Sequence, residues 1–567
     1  MNHFKAKLAY FAIFLVLLSI AFRSLISNLS ANLPDWYDYP YLVWIINTNL
    51  DKFISLNFSE LFNTNILYPN TNSLLLTDTL FTQTFLGLPI RVFTANPILI
   101  FNIVFLTTYI LNYIASFLLW GKIFKKDSLA FLGSLLTVFS PFFHAEGGHF
   151  QLQSYWPGLL SLYFLFKVTK TGSYKYLVAS GVFLAFQFLA SVYLAVFLIV
   201  AIALFFLAEA IIKRRYLLSL KKLILVLASF VVLASPVIAG YLKVEKQYQV
   251  QRNYGEYVFY SAHLSDYIFS RGIKSVIHTS QFINRWNSFN HHAIGGVALF
   301  TGFFLTIFGV FGIFISRKKP KAYDLFFFLL IFLGILFSFG PRANFNGVYA
   351  EIPLPYHFLL KYVPLFDVIR APSRWMFLVY LGFTFFSAKF LFQKTAKAAS
   401  IVLLATLILL EYYPINIQTH AESYLQEKDY TLKQICSGQP KVVLEIPVTH
   451  FDAGKDILEG LNYITKTILA SSYHKCYLVN GYSSYDLPSI ATLTNSLYGA
   501  SINRDDKEFL SLLNSSKAEI LVINRALLKK EDKAEALLST VERLETKGYL
   551  LNQENDVFQI RIPPQER

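Results

Sequence analysis

The feature that most constrains the fold is a succession of long apolar runs separated by short basic loops. The chain has 567 residues and is 55% hydrophobic, above the roughly 45–50% that is usual in soluble domains. A helix needs about 20 mostly apolar residues to cross a bilayer, and about eleven segments come close to that requirement. The sequence therefore predicts a polytopic α-helical membrane protein. The predicted spans are residues 8–27, 98–120, 128–144, 152–167, 176–191, 192–212, 222–241, 294–315, 323–340, 373–392 and 398–414.

Two apolar stretches do not fit a single span. Residues 176–212 are too many for one crossing, so the sequence predicts a tight helical hairpin around Ser191. The stretch 74–93 contains Asp78 and Arg91, which favours an interfacial or re-entrant helix over a span.

The positions of the basic residues predict the orientation in the membrane. Lysines and arginines gather in short loops between apolar runs, as in Lys213-Arg214-Arg215, and this pattern is typical of cytoplasmic loops. We interpret residues 8–27 as an uncleaved first span with a cytoplasmic N-terminus. The net charge of +15 then reflects topology in a multi-pass plasma-membrane protein, and nucleic-acid binding is excluded. The segments predicted to lie outside are 28–97, 145–151, 242–293, 341–372 and 415–567.

The C-terminal part changes to the pattern of a soluble domain. Residues 441–446 and 518–523 are typical of buried strands, and 504–514 and 526–545 of amphipathic helices. We therefore predict a transmembrane domain over 1–414 and an extracytoplasmic α/β domain over 415–567. Both cysteines, Cys436 and Cys476, lie in the second domain. An oxidising compartment would permit a disulfide between them, and two buried free thiols are the alternative.

An acidic and aromatic cluster follows the first span. Asp35 and Asp38 lie at a low-dielectric boundary, which raises the proton affinity of a carboxylate and suits a general base. The alternative is that these acids are solvated, or that Asp38 caps a helix that begins around Pro40. The rings predicted to contact a substrate are Trp36, Tyr37 and Tyr68.

A second polar group follows the third predicted span. His144, Glu146 and His149 form a candidate acceptor or second acidic site, although their spacing is not that of HExxH zinc proteases. A divalent metal held by Glu146, one histidine and a first-loop aspartate is one interpretation. Interfacial histidines beside a loop-capping glutamate are the other.

A third group is basic and external. Arg370 lies just before the span at 373–392, Arg374 lies at its outer end, and Arg271 lies on the preceding external loop. One guanidinium group can donate hydrogen bonds to two phosphate oxygens at once, so these residues are candidate ligands of a lipid-linked phosphate. Anchoring to lipid head groups, or an ion pair between Asp367 and Arg370, is the alternative.

Together these segments resemble the GT-C superfamily of integral-membrane glycosyltransferases, in the bacterial type with an external C-terminal domain. The resemblance covers most of the chain. The segments that carry it are Asp35 with Asp38, Leu67-Tyr-Pro69, 96–102, 139–143, 148–152, Ser191-Val-Tyr193 and 364–375.

The resemblance implies an inverting transfer of a sugar from a polyprenyl-phosphate-linked donor to a lipid, glycan or protein acceptor at the outer membrane face. A first-loop aspartate would act as the base, and the C-terminal domain would select the acceptor, with 480–485 as a candidate aromatic surface. A transporter or flippase of a lipid-linked glycan is one alternative. A non-catalytic membrane scaffold is the other.

Overall fold

The computed structural model contains two compact units. The first unit comprises Met1–Ser27, Val104–Pro236 and Arg252–Gln418, and the second comprises Asn28–Ile103, Val237–Gln251 and Thr419–Arg567. The residues described are 2–140, 148–267, 277, 280–281, 301–317, 320–345, 348–363, 366–393, 406–407, 410–414, 417, 419–449, 457–485, 487–528, 532–554 and 557–562.

The first unit is almost entirely helical where it is described. Two long helices, Pro97–Phe124 and Tyr216–Tyr248, contribute residues to both units. A two-stranded antiparallel sheet, Arg342–Phe345 with Val348–Pro353, lies between helices of the first unit. Its other helices are Asn2–Ala21, Arg23–Ile26, Asp127–Val138, Phe150–Gln153, Trp156–Thr171, Lys175–Ala190, Val192–Lys213, Tyr254–Phe259, Leu264–Tyr267, Phe303–Ser316, Ala322–Ser338, Pro355–Tyr362, Pro372–Trp375 and Met376–Gln393.

Four of the described helices are long and apolar enough to cross a membrane. Each overlaps a predicted span. The total of about eleven spans stays a prediction, because other apolar helices are 10–17 residues long and because most of 398–414 lies outside the described residues. The four helices are Phe4–Ala21, Pro97–Phe124, Val192–Lys213 and Tyr216–Tyr248.

The two unusual apolar stretches have the predicted character. Lys175–Ala190 ends and Val192–Lys213 begins on either side of Ser191, whose backbone is extended (φ −162°, ψ 120°). One helix therefore ends and the next begins at Ser191, the position predicted for the turn, and the tight hairpin stays a prediction. Within 74–93 the helix is Phe81–Arg91, with 11 residues, which is too short to cross a bilayer alone.

Glycines allow close helix packing in the first unit. A Cβ atom at Gly312 would lie 2.1 Å from the carbonyl oxygen of Phe386, and one at Gly382 would lie 2.8 Å from that of Phe327. Small residues at such contacts let helix backbones approach closely. Helix Met376–Gln393, which directly follows the arginine-containing segment, is thereby packed against two neighbours.

The second unit contains a five-stranded sheet. Its order is Tyr477–Leu478, Val442–Ile446, Ile520–Asn524, Val557–Arg561 and Leu550–Glu554, with the first three strands parallel and the last two antiparallel to their neighbours. Both predicted strands are confirmed, since Val442–Ile446 and Ile520–Asn524 are buried along their whole length. Its other elements are helices Tyr39–Ile54, Ser73–Leu76, Phe81–Arg91, Glu427–Ile435, Ile457–His474, Pro488–Ile502, Asp506–Ser515, Arg525–Leu527 and Asp532–Thr546, and strands Asn32–Leu33 and His420–Ala421.

The loop after the first span is part of this unit. Strand Asn32–Leu33 pairs antiparallel with His420–Ala421. Further along, the N–H of Leu478 donates to the carbonyl of Asn65 at 2.7 Å, and the N–H of Leu67 donates to that of Asn480 at 2.9 Å. The C-terminal segment therefore holds the first loop by main-chain hydrogen bonds at two places. The predicted boundary between residues 414 and 415 stays a prediction.

A disulfide joins Cys436 and Cys476, with 5.6 Å between their Cα atoms. It closes a loop over a sequence separation of 40 residues. In chain-entropy terms, such a cross-link contributes about 2–4 kcal/mol of stability.

We expect reduction to lower the unfolding temperature of the second unit, which can be followed by thermal unfolding of purified protein with and without dithiothreitol. The control is the double variant Cys436→Ser/Cys476→Ser, on which dithiothreitol should have no effect. Equal unfolding temperatures for oxidised and reduced wild-type protein would contradict the expectation.

Candidate functional site

The segment that carries the two first-loop acids is anchored on both sides. Before it, Asn32–Leu33 pairs with another strand. Within it, the indole N–H of Trp36 donates to the carbonyl of His420 at 2.9 Å, and the side chain is only 1% exposed. After it, helix Tyr39–Ile54 begins, with Pro40 in its first turn, where proline is well tolerated. Asp35 and Asp38 therefore lie on a short turn between fixed elements.

Asp35 is partly buried. Burial raises the pKa of its carboxyl to about 6, the backbone N–H of Tyr37 acts in the opposite direction, and the neighbouring charge of Asp38 raises the pKa further. The N–H of Tyr37 donates to Oδ1 of Asp35 at 3.0 Å. Asp35 can thus accept a proton near neutral pH more readily than an exposed aspartate can.

Asp38 is held by a residue from the far end of the chain. The hydroxyl of Tyr482 donates to its Oδ1 at 3.0 Å, and the ring of Tyr482 packs edge-on against Tyr41, with 5.2 Å between centroids. Asp38 occupies the position before helix Tyr39–Ile54, but its side chain makes no capping hydrogen bond. The structure therefore does not give Asp38 the capping role that was the alternative.

The segment that delivers Tyr482 is itself fixed. The side-chain amide of Asn480 donates to the carbonyl oxygens of Glu445 (2.7 Å) and Val448 (3.1 Å), and its carbonyl accepts from the N–H of Glu445 at 2.6 Å. At Gly481 a Cβ atom would lie 2.3 Å from Cγ of Leu67. Residues 480–485, proposed from sequence as an aromatic surface, thus lie against the first loop.

A third acid, Asp78, belongs to the same neighbourhood. Burial raises the pKa of the Tyr41 hydroxyl, and the charges of Asp38 and Asp78 raise it further. The sequence did not mark Asp78 as a site residue, and it included Tyr482 only as part of the candidate aromatic surface 480–485. The signal for Asp78 was an acid in an otherwise apolar stretch.

The arginines lie in the first unit, around Tyr193. The guanidinium of Arg374 stacks over the Tyr193 ring, 5.2 Å from its centroid, and the backbone N–H of Arg370 donates to the Tyr193 hydroxyl at 2.8 Å. Arg374 is 7% exposed. It is placed by the short helix Pro372–Trp375, and Tyr193 stands just after the break at Ser191.

Arg370 also has charged and aromatic neighbours. Its guanidinium lies over the ring of Tyr260 at 5.0 Å, and its Nε is 4.0 Å from a carboxylate oxygen of Glu256. Arg252 approaches the same carboxylate at 3.7 Å. The carboxylate paired with Arg370 is therefore that of Glu256, whereas Asp367 was the partner considered from sequence. Two guanidinium groups, of Arg252 and Arg370, therefore lie near the Glu256 carboxylate, and the guanidinium groups of Arg370 and Arg374 each lie over a tyrosine ring.

The remaining predicted residues have varied surroundings. His149 directly precedes helix Phe150–Gln153. Tyr37 is 40% exposed, whereas the buried ring of Trp36 holds its loop in place. Tyr68 packs against Tyr477, with 4.9 Å between ring centroids. The candidates outside the described residues are His144, Glu146 and Arg271.

No group of three or more His, Cys, Asp or Glu side chains that could hold a metal ion occurs among the described residues. Since His144 and Glu146 are outside them, the predicted metal site lies outside the residues that the structure describes.

The fold is similar to that of solved archaeal oligosaccharyltransferases. The enzyme of Archaeoglobus fulgidus, tethered to an acceptor peptide containing the NVT sequon, matches with a TM-score of 0.51 and 11% identity, over 98% of this chain and 74% of that one. The same organism's AglB in complex with an inhibitory peptide and a dolichol-phosphate matches with a TM-score of 0.47 and 12% identity, over 97% and 74% of the two chains. The first likeness shows the fold alone.

With its apolar helices and this fold, the chain is a membrane protein. It belongs to the family described as a domain of unknown function, DUF6311, which matches residues 54–413. No curated protein matches the chain by sequence.

Proposed function

We propose that the protein is a GT-C glycosyltransferase that moves a sugar from a polyprenyl-phosphate-linked donor to an acceptor hydroxyl or amide at the outer face of the plasma membrane. The observation that carries the proposal is the Asp35–Asp38 pair, in which a partly buried carboxyl with a pKa of about 6 lies beside a second carboxylate held by Tyr482. A base with a pKa close to the working pH is well matched to general-base catalysis.

In the proposed step, one proton is transferred, one bond forms and one bond breaks. The acceptor O–H or N–H loses its proton to a carboxylate oxygen of Asp35, and the acceptor atom forms a bond to the anomeric carbon. The bond between that carbon and the phosphate oxygen breaks with inversion, and the polyprenyl phosphate leaves with the electron pair. Asp38 keeps the proton affinity of Asp35 high through its neighbouring charge.

The departing phosphate requires positive charge. Arg374 and Arg370 supply guanidinium groups positioned by Tyr193, and preorganised donors of this kind stabilise charge that develops in a transition state. We assign Arg374 and Arg370 to the donor phosphate because their guanidinium groups are held in place beside tyrosine side chains. Arg271 is a further candidate.

The acceptor class is open among lipid, glycan and protein. The archaeal enzyme with the TM-score of 0.51 was solved with an acceptor peptide containing the NVT sequon, which makes a peptide one acceptor to test first.

We also propose that the N-terminus is cytoplasmic and that residues 415–567 are extracytoplasmic. Reporter fusions at residues 60 and 567 should both report an external location, and a cytoplasmic signal from either would contradict this orientation.

Donor hydrolysis tests the activity without knowledge of the acceptor, because water can replace it. The purified chain, reconstituted in liposomes, is given undecaprenyl-phosphate-linked glucose, mannose and N-acetylglucosamine, and release of free sugar is measured. We expect release from at least one donor, and its loss in Asp35→Asn. Movement of these lipids between leaflets without sugar release would favour the flippase alternative, and neither activity would favour the scaffold.

Tyr482→Phe isolates the hydrogen bond to Asp38. The ring and its edge contact with Tyr41 are kept, but the donor at 3.0 Å is lost. Because a hydrogen bond to a charged group contributes about 1.5–3 kcal/mol, we expect at least a roughly 10-fold lower rate of sugar release, since about 1.4 kcal/mol corresponds to tenfold.

Loss of this hydrogen bond should lower the unfolding temperature of Tyr482→Phe by several degrees, so the variant should still be folded under the conditions of the assay. The matched control is Tyr430→Phe, at an exposed tyrosine of the same unit, which should leave the rate unchanged. An unchanged rate in Tyr482→Phe would show that this hydroxyl does not position Asp38 for the reaction.

A further inference from the structure

An open pocket of about 390 Å³ lies within the second unit, apart from the Asp35–Asp38 turn. It is formed by helix Tyr39–Ile54, by the loop from 57 to 71, and by the chain around the end of helix Ile457–His474 and strand Tyr477–Leu478. Its size is within the range of about 300–1,000 Å³ that is usual for small-molecule sites. None of the residues assigned to the donor phosphate or to the base lines it.

The side chains that line this pocket are mostly polar and uncharged. Asparagine, serine and threonine make up more than half of the lining residues, and as described the lining contains no Leu, Ile, Val, Met, Phe or Trp. Ordinary ligand pockets are lined mainly by apolar side chains. A ligand that combines C–H surface with hydroxyl groups would meet carbon atoms of these side chains as well as many hydrogen-bond donors and acceptors.

The charged residues of the lining are balanced. Asp51 is paired with Arg91 at 2.7 Å and with Lys475 at 3.0 Å, and the Lys52 ammonium donates to the carbonyl oxygens of Leu61 (3.2 Å) and Asn63. Burial also lowers the pKa of Lys52 to about 8. With Glu60 as the other acid, acids and bases are equal in number, so the pocket is not built to attract a phosphate.

The tyrosine pair of the lining points to a ligand with a C–H face. Tyr68 and Tyr477 stand together at the pocket with an interplanar angle of 37°, and Tyr477 is 36% exposed. The asparagine, serine and threonine side chains of the same lining supply donors and acceptors for hydroxyl groups.

We propose that this pocket binds a neutral carbohydrate unit, with tyrosine rings against its C–H face and asparagine, serine and threonine side chains on its hydroxyl groups. It is a binding site separate from the catalytic residues. The inference does not rest on the proposed transfer reaction, because binding is measured without turnover.

Saturation-transfer NMR on the detergent-purified full chain tests this, with maltotriose, mannotriose and N,N′,N″-triacetylchitotriose as probes. We expect at least one to bind, with an affinity unchanged within twofold between 50 and 500 mM NaCl, as for a neutral ligand. Tyr477→Ser, at a half-exposed position on an edge strand, should weaken binding at least 10-fold, whereas the control Tyr430→Ser should leave it within twofold.

Three outcomes would overturn the proposal. The first is that no probe binds, and the second is that Tyr477→Ser changes the affinity by less than twofold. The third is that binding is lost in 500 mM NaCl or in Lys475→Gln, which would indicate a site for an anion. Asp35→Asn should bind the sugars as the wild type does. Sugar binding in this pocket can therefore be observed even if the proposed transfer reaction is wrong, so failure of one proposal is distinguishable from failure of the other.

Discussion

Replacing Asp35 by asparagine is expected to lower the rate of sugar transfer by about 100- to 10,000-fold, the range that general-base catalysis supplies. Asparagine has nearly the same shape and can still accept from the N–H of Tyr37, but it cannot take a proton. Sugar release from undecaprenyl-phosphate-linked donors, measured under single-turnover conditions, reports the chemical step.

The pH profile gives an independent check on Asp35. Burial raises the pKa of its carboxyl to about 6, and a base acts only when it is deprotonated. The wild-type rate should therefore rise with pH, reach half its plateau at about pH 6, and level off above it. Asp38→Asn removes a charge that raises the Asp35 pKa, so its profile should be displaced to lower pH.

The unfolding temperature of Asp35→Asn shows whether a lower rate comes from lost catalysis or from a folding defect. A carboxyl whose folded-state pKa is raised from 3.8 to about 6 destabilises the fold progressively as the pH rises through that window, and fully above it. Removing the charge should therefore not lower the unfolding temperature at pH 7.5. Glu508→Gln, an exposed acid of the same unit, is the matched control and should keep the full rate. A wild-type rate of sugar release in Asp35→Asn would contradict the assignment of Asp35 as the general base.

Local patterns in the sequence predicted most of the secondary structure. Apolar runs at 98–120 and 192–212 lie within the helices Pro97–Phe124 and Val192–Lys213, because burial of apolar side chains leaves a signal in composition alone. The buried strand Val442–Ile446 was predictable for the same reason. The end of a helix near Ser191 was predictable because the apolar run 176–212 is too long for one crossing. Helix Asp532–Thr546 begins later than expected, after the short turn Arg525–Leu527.

Contacts between distant parts of the chain were not predictable in this way. Asp38 and Tyr482 are 444 positions apart, and neither residue type marks its partner. The polar pocket likewise combines asparagines after helix Tyr39–Ile54 with serines at the end of Ile457–His474. Each segment alone has the composition of an ordinary surface loop, and only the fold brings the amides and hydroxyl groups to one place.

Substitution of Arg374 by alanine is expected to lower the rate of sugar release by about 100-fold or more, because a preorganised group that stabilises developing charge typically contributes about 10²–10³ in rate. Arg374 is 7% exposed and stacked on Tyr193, so its guanidinium is held in one orientation. The same variant should bind undecaprenyl phosphate more weakly in an equilibrium assay.

Arg374→Lys distinguishes charge from geometry. Lysine keeps the positive charge but lacks the planar fork that matches two phosphate oxygens, so we expect an intermediate loss of rate. Arg317→Ala is the matched control, since Arg317 is an exposed arginine of the same unit at the end of helix Phe303–Ser316. If Arg374→Ala and Arg317→Ala bind undecaprenyl phosphate equally well while both remain folded, Arg374 serves helix packing against Tyr193, and the donor phosphate must be bound by other residues.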